Sequence, residues 1–429
     1  MIDPQAKPKF YFRLMVLVAV LGFISAAITF AFMALVHEGT KVIWEQAAQL
    51  VGISMPLFTI LVCTLGGLLV GLLVKLFGDH SGIFAEVMRE FGKTGRFDYR
   101  NAPGIVITAF FSLISGASLG PEAPLADACG GIGTWASDRL KLDEQETRSM
   151  GYSGVSGMLA AFITNPFGGA LLGLESAQGG TSGKQTYFWV LFPSLLASAV
   201  STVVFVLLSG VFFETLYVFP DYAPKVKHIF YAVPLGLLGG AVGLLFMLAL
   251  SRLQQVFQVM KGRVVLRGVI GGLGMGIIGA LLPLTLFSGE SGSSDLITDA
   301  AEIGIVMLIV LGLMKLFATS LLLATGWKGG YIFPIMFSGI ALGLAVNLIF
   351  PELQVAVCVA ATISGAMVAA LRAPLYAALF TLVLVQKETA AVIAVAVVVS
   401  ALLTAGLAML QARRAAANAQ NNQQNAEIS

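Results

Sequence analysis

The sequence predicts an all-α polytopic membrane protein, two inverted-topology repeats whose broken helices meet at a midplane anion site. Three observations lead there. Of 429 residues, 57% are hydrophobic and only 11% charged, against roughly 25% charged in an average soluble domain; the mean hydropathy is +0.89. Apolar stretches run for a whole bilayer width. From Leu14 to Val36 there is no acid or base, and at about 1.5 Å per residue such a run crosses a hydrocarbon core of roughly 30 Å. The third observation is an internal repeat, described below. The composition excludes a soluble enzyme and a disordered scaffold, and a formal net charge of +2 offers no basic face to nucleic acid.

In chain order, residues 1–12 form an N-terminal arm. The stretch Arg13–Val36 is read as a retained span, because its apolar run is too long for a signal peptide and lacks a small-residue cleavage site. Further apolar segments lie near 53–77, 104–119, 150–174, 186–215, 228–251, 264–287, 303–323, 331–350, 354–371 and 374–411. The transmembrane unit thus covers 13–411, with halves of about 50–215 and 228–411. Residues 412–429, rich in Ala, Asn and Gln, are expected to form a disordered tail. Lys7, Lys9 and Arg13 at one end, and Arg413 and Arg414 at the other, place both termini in the cytoplasm by the positive-inside bias, in a multi-pass cell-membrane protein. The number of crossings is then even.

The repeat is read from glycine, serine and proline. An offset of 210 aligns Phe77, Ser81, Gly82, Gly120, Pro124 and Gly133 with Phe287, Ser291, Gly292, Gly330, Pro334 and Gly343. An offset of 208 takes Ser156, Gly157, Ala161 and Pro166 to Ser364, Gly365, Ala369 and Pro374. An even number of crossings divided into two similar halves allows each half an odd number, which inverts one against the other. The repeated residues are helix-start residues: serine caps, glycine frees the turn, and proline in the first turn loses no hydrogen bond. Helix N-termini brought together in this way hold a small anion by weak polar coordination, without a fixed positive charge.

Glu122 is the first candidate for chemistry. It is a carboxylate inside a long uncharged stretch at an expected helix start, and burying such a charge costs several kcal/mol. Its alternatives are a helix cap and a gate that occupies the anion site when ionised. Glu175 closes another apolar run, either at an interface or as a proton relay. Lys315, a cation within an apolar segment, either snorkels or raises the potential of an anion path. Lys328 and Arg372 read as interfacial anchors, while Asp127 is left between a vestibule residue and a polar contact. Cys63, Cys129 and Cys358 lie in apolar runs, and His37, His80 and His228 are scattered, so neither a disulfide, a metal nor a cofactor is expected.

Three of these motifs resemble the CLC family of chloride channels and chloride/proton antiporters. Its anion-site patterns G-S-G-I-P, G-[KR]-E-G-P and G-G-x-F-x-P are similar, in order, to His80-Ser81-Gly82-Ile83-Phe84, Gly120-Pro121-Glu122-Ala123-Pro124 and Gly329-Gly330-Tyr331-Ile332-Phe333-Pro334. The resemblance runs from about residue 60 to 400. It implies that Ser81, followed by Gly82 and Ile83, offers a hydroxyl to a central anion, and that the N–H groups of Tyr331 and Ile332 coordinate it from the other half. It also implies that Ala123 supplies an N–H beside a Glu122 gate. The expected partners are chloride or a similar small anion, protons, the lipid bilayer and a second copy in a homodimer.

Departures from the family pattern set the finer expectations. Pro121 stands where the family carries a basic residue, and Ile105, the repeat partner of Lys315, is apolar where antiporters often carry lysine. Ser176 falls at the place of the antiporters' inner glutamate, with Glu175 one residue before it. No tyrosine in 401–414 supplies the family's central hydroxyl, and cytoplasmic nucleotide-sensing domains are not expected. Channel-like or loosely proton-coupled chloride movement is therefore favoured. Strict antiport, or transport of fluoride, nitrate or an organic anion, stands as the alternative, while a membrane-embedded enzyme lacks paired catalytic groups.

Overall fold

The computed structural model describes residues 8–80, 82–176, 186–210 and 217–428. Among them, sixteen helices of nine or more residues fall into two sets of eight in the same order. The first set is α1 (Pro8–Lys41), α2 (Met55–Phe77), α3 (Phe84–Thr94), α4 (Ala102–Ile114), α5 (Glu122–Leu140), α6 (Glu144–Ile163), α7 (Pro166–Ser176) and α8 (Phe192–Ser209). The second is α9 (Val226–Gln258), α10 (Val264–Leu281), α11 (Glu290–Thr298), α12 (Ile305–Ala324), α13 (Ile332–Ile349), α14 (Val355–Leu371), α15 (Pro374–Leu384) and α16 (Ala390–Ile428). The offsets read from sequence reappear as helix boundaries. Glu122 and Ile332, 210 residues apart, open α5 and α13, and α7 matches α15 end to end at 208.

Local chemistry sets the helix ends. Asp143 caps α6 by accepting from the Glu146 N–H at 2.8 Å, while the Glu146 carboxylate accepts from the Asp143 N–H at 3.0 Å. Helix α2 begins with proline in its first turn and stops at Gly78, whose φ of 101° a residue with a side chain rarely adopts.

Packing is inside-out relative to a soluble protein. On α2, Leu57, Leu61, Leu65, Leu68, Leu72 and Leu76 face outward, whereas Gly66, Gly67, Val70, Gly71 and Val74 are buried. Lipid solvates leucine as well as protein does, so small residues mark the helix contacts. A Cβ at Gly67 would stand 2.4 Å from the Gly268 carbonyl oxygen of α10, so these repeat-related helices touch backbone to backbone. Helix α6 from Ser149 onward and α14 from Ala356 to Ala370 are buried on every side.

Eight helical segments among the described residues are long and apolar enough to cross a membrane, three before residue 210 and five after it. The halves, matched helix for helix, are the two inverted repeats of the fold. They meet at Gly120 and Gly330, repeat equivalents that form an antiparallel pair with N···O distances of 2.9 and 2.5 Å. Equivalent residues that bond each other reciprocally lie on the two-fold axis relating the halves. At the C-terminus α16 runs to Ile428 through a stretch rich in Ala and Gln, both strong helix formers.

Candidate functional site

Glu122 is the first residue of α5 and is 1% exposed. Its Oε1 accepts a hydrogen bond from the N–H of Ile332, the first residue of α13, at 2.6 Å. The N–H of Phe333 also faces the carboxylate. Two helix N-termini, one from each half, therefore converge on a single negative charge. The slot that admits it is cut from glycine: a Cβ at Gly330 would fall 2.2 Å from Glu122 Cδ, and one at Gly120 would fall 2.0 Å from Oε2. That second oxygen is buried with no hydrogen-bond partner among the described residues.

Glu122, Ala123, Tyr331 and Ile332 are thus brought together, and all four are buried. Ser81, expected to face the same anion, lies outside the described residues, so its place is read only from its neighbours. Ile83 precedes α3 as its N-cap, and Gly82 packs on the Lys328 side chain, where a Cβ would meet Cδ at 2.9 Å. Lys328 in turn stands two residues before Gly330, against which Glu122 rests.

Two cavities approach the site. One, of about 1230 Å³, is lined by Ile83, Arg89, Arg148, Tyr152, Glu175 and Arg372. The other, of about 490 Å³, is lined by His37, Leu119, Pro121, Glu290, Ser291 and Ser294. The first opens at the start of α3 and the second at the start of α11, its repeat counterpart. Inversion puts those helix starts on opposite faces of the membrane.

Three charged residues have roles that the sequence left open or misplaced. Glu175 is a cross-half cap: its two oxygens accept from the N–H groups of Leu375 and Tyr376 at 2.7 and 2.9 Å, at the start of α15. Asn165 caps α7 in the first half by accepting from Phe167 and Gly168. Ala373, its counterpart before α15, has no such group, and Glu175 takes that place. Lys315 is fully buried and does not snorkel. Its Nζ donates to the carbonyls of Thr285, Leu286 and Phe287 at 3.0, 3.1 and 2.8 Å, so its charge pins the turn before α11. Lys328 is no interfacial anchor. It is 3% exposed and bonds Asp79 and the His80 carbonyl, while Arg267 bonds the other Asp79 oxygen. Its only signal in sequence was a lysine directly before a double glycine. Asp127 is half-buried with Oδ2 unpartnered among the described residues, and it lies within electrostatic reach of Lys328.

A family model described as "Voltage gated chloride channel" matches residues 66–406. The chain belongs to that family. Its members, the CLC proteins, are transporters or channels and not enzymes, so the chain is a multi-pass CLC protein of anion transport. Among curated relatives it is similar to "Putative ion-transport protein YfeO" of Escherichia coli (strain 55989 / EAEC), 26% identical over 372 residues and covering 84% of each chain. Among solved structures it is similar to a slow cyanobacterial Cl-/H+ antiporter, with a TM-score of 0.81, 21% identity, and coverage of 92% of this chain and 95% of that one. It is also similar to a CLC-type fluoride/proton antiporter, with a TM-score of 0.72, 17% identity, and coverage of 92% and 97%. At these identities the likeness carries the CLC fold, and the finer chemistry has to come from this chain's residues.

Proposed function

We propose that this CLC protein moves chloride through a pathway gated by Glu122, as a channel or with loose proton coupling. One observation carries the reading: the Glu122 carboxylate sits on the Ile332 N–H where two helix N-termini meet, with one cavity reaching the start of α3 and another the start of α11. A carboxylate in that position competes with any small anion for the same donors. Ionised, it blocks; protonated or displaced, it leaves the N–H groups of Tyr331 and Ile332, the Ala123 N–H and the Ser81 segment (with Gly82 and Ile83) to the ion.

Loose coupling is favoured by Glu175. Strict exchange needs a second carboxylate free to carry a proton, and both Glu175 oxygens are tied to α15 as a cap. The distribution of charge supports cytoplasmic termini. Loops 93–100 and 139–148 hold Lys93, Arg96, Arg100, Arg139, Lys141 and Arg148, whereas 290–302 holds Glu290, Asp295, Asp299 and Glu302 without a lysine or arginine. The larger cavity then faces the cytoplasm. Exposed apolar side chains on α8, such as Val203 and Leu207, leave room for the second subunit of a homodimer in the bilayer.

The test is chloride efflux from liposomes holding the purified protein and an internal pH probe, repeated with fluoride and nitrate. Chloride efflux without a fixed proton ratio is expected. A fixed ratio that persists in Glu175→Gln overturns loose coupling, and efflux of fluoride or nitrate without chloride overturns the selectivity.

A further inference from the structure

We propose that Lys328, paired with Asp79, which Arg267 also bonds, is the positioning and affinity-setting residue of the pathway: it fixes Asp79, His80 and Gly82 and sets how tightly an anion is held beside them. The inference rests on the gated anion path above. Lys328 is almost wholly buried, its side chain 4% exposed, and its Nζ donates both to the His80 carbonyl and to Asp79 Oδ1, the latter at 3.4 Å. These are the two residues before Ser81. Gly82, the residue after it, packs on the same side chain.

Lys328 is itself held at both ends. Its backbone N–H donates to Ser112 Oγ at 3.3 Å, and Arg267, which bonds Asp79 Oδ2, also donates through Nε to the Thr325 carbonyl at 3.2 Å. One lysine therefore joins the segment of the first half that carries Ser81 to the strand of the second half that runs through Gly330 to the gate. Lys315 is the other buried lysine among the described residues, and three carbonyls absorb its charge. The Lys328 ammonium has a different environment: Asp79, Arg267 and Asp127 are the charges within its reach. Adding or removing one unit of charge in this cluster changes the anion's potential in a known direction, whatever the state of Asp127. At roughly 10 Å and an effective dielectric constant of about 20, one charge shifts an affinity about tenfold.

The experiment measures the half-saturating chloride concentration of liposome flux, and chloride binding by calorimetry, for the full chain in a Glu122→Gln background. Lys328→Met is expected to raise both constants about tenfold, and Asp79→Asn to lower them several-fold. Opposite shifts cannot come from general damage. Constants within about twofold of the parent for Lys328→Met, or shifts of the same sign in both variants, overturn the proposal. If Lys328→Met does not fold, Asp79→Asn alone decides: an unchanged or raised constant overturns it. A parent with neither flux nor calorimetric binding fails the chloride reading itself, a result distinguishable from either of these.

Discussion

At the scale of single residues, the proposed function turns on the Glu122 carboxylate, held by the Ile332 N–H where two helices start. Removing its charge should open the pathway. Glu122→Gln is expected to raise chloride flux several-fold at neutral pH and to flatten its dependence between about pH 4 and 8, since on the proposed reading protons neutralise the gate in the native protein. Flux unchanged across that range returns Glu122 to a helix cap. Gly330→Ala tests the slot independently, because the new Cβ would need the space of Glu122 Cδ, 2.2 Å away. We expect the gate to be pushed out and neutral-pH flux to rise towards that of Glu122→Gln; native-like flux argues that the slot yields. Glu122 and Ile332 were legible in the sequence because an acid in an apolar stretch and a repeated Gly/Pro pattern are local signals. The role of Lys328 was not, since a buried cation is defined by its partners, and Asp79 and His80 stand 249 and 248 positions away.

At the scale of elements, two devices hold the broken helices in place. Glu175 caps α15 from the other half, and Lys315 gathers the last carbonyls before α11. Lys315→Met leaves three buried carbonyls without their donor, and an expected loss of about 2–4 kcal/mol follows from the cost of unmet hydrogen bonds. The measurement is thermal unfolding in detergent. A lowered midpoint with the pH dependence of flux intact fits an element-pinning lysine, and an intact midpoint with altered anion selectivity would instead make Lys315 part of the path. The order of helices and their offsets were readable in the chain because capping and glycine contacts repeat with it. The choice between relay and cap for Glu175 was not, because it depends on an α15 start 200 residues away that lacks a capping side chain of its own.

At the scale of the whole molecule, inversion places matching loops on opposite sides of the bilayer. Lys93→Cys, in the last turn of α3, and Glu302→Cys, after α11, should react with a membrane-impermeant maleimide from opposite faces of oriented vesicles. Labelling of both from one face would refute the inverted arrangement. The axis through Gly120 and Gly330 has a further consequence. A scaffold that presents the same backbone to either side has no forward and no reverse. Vectorial behaviour, such as rectification or the side from which protons open the path, therefore has to come from residues that the two-fold does not reproduce. Four of the charged ones are plain: Glu122 answers to Ile332, Lys315 to Ile105, Lys328 to Ser118 and Glu175 to Val383. Direction in this protein is written in side chains that have no twin.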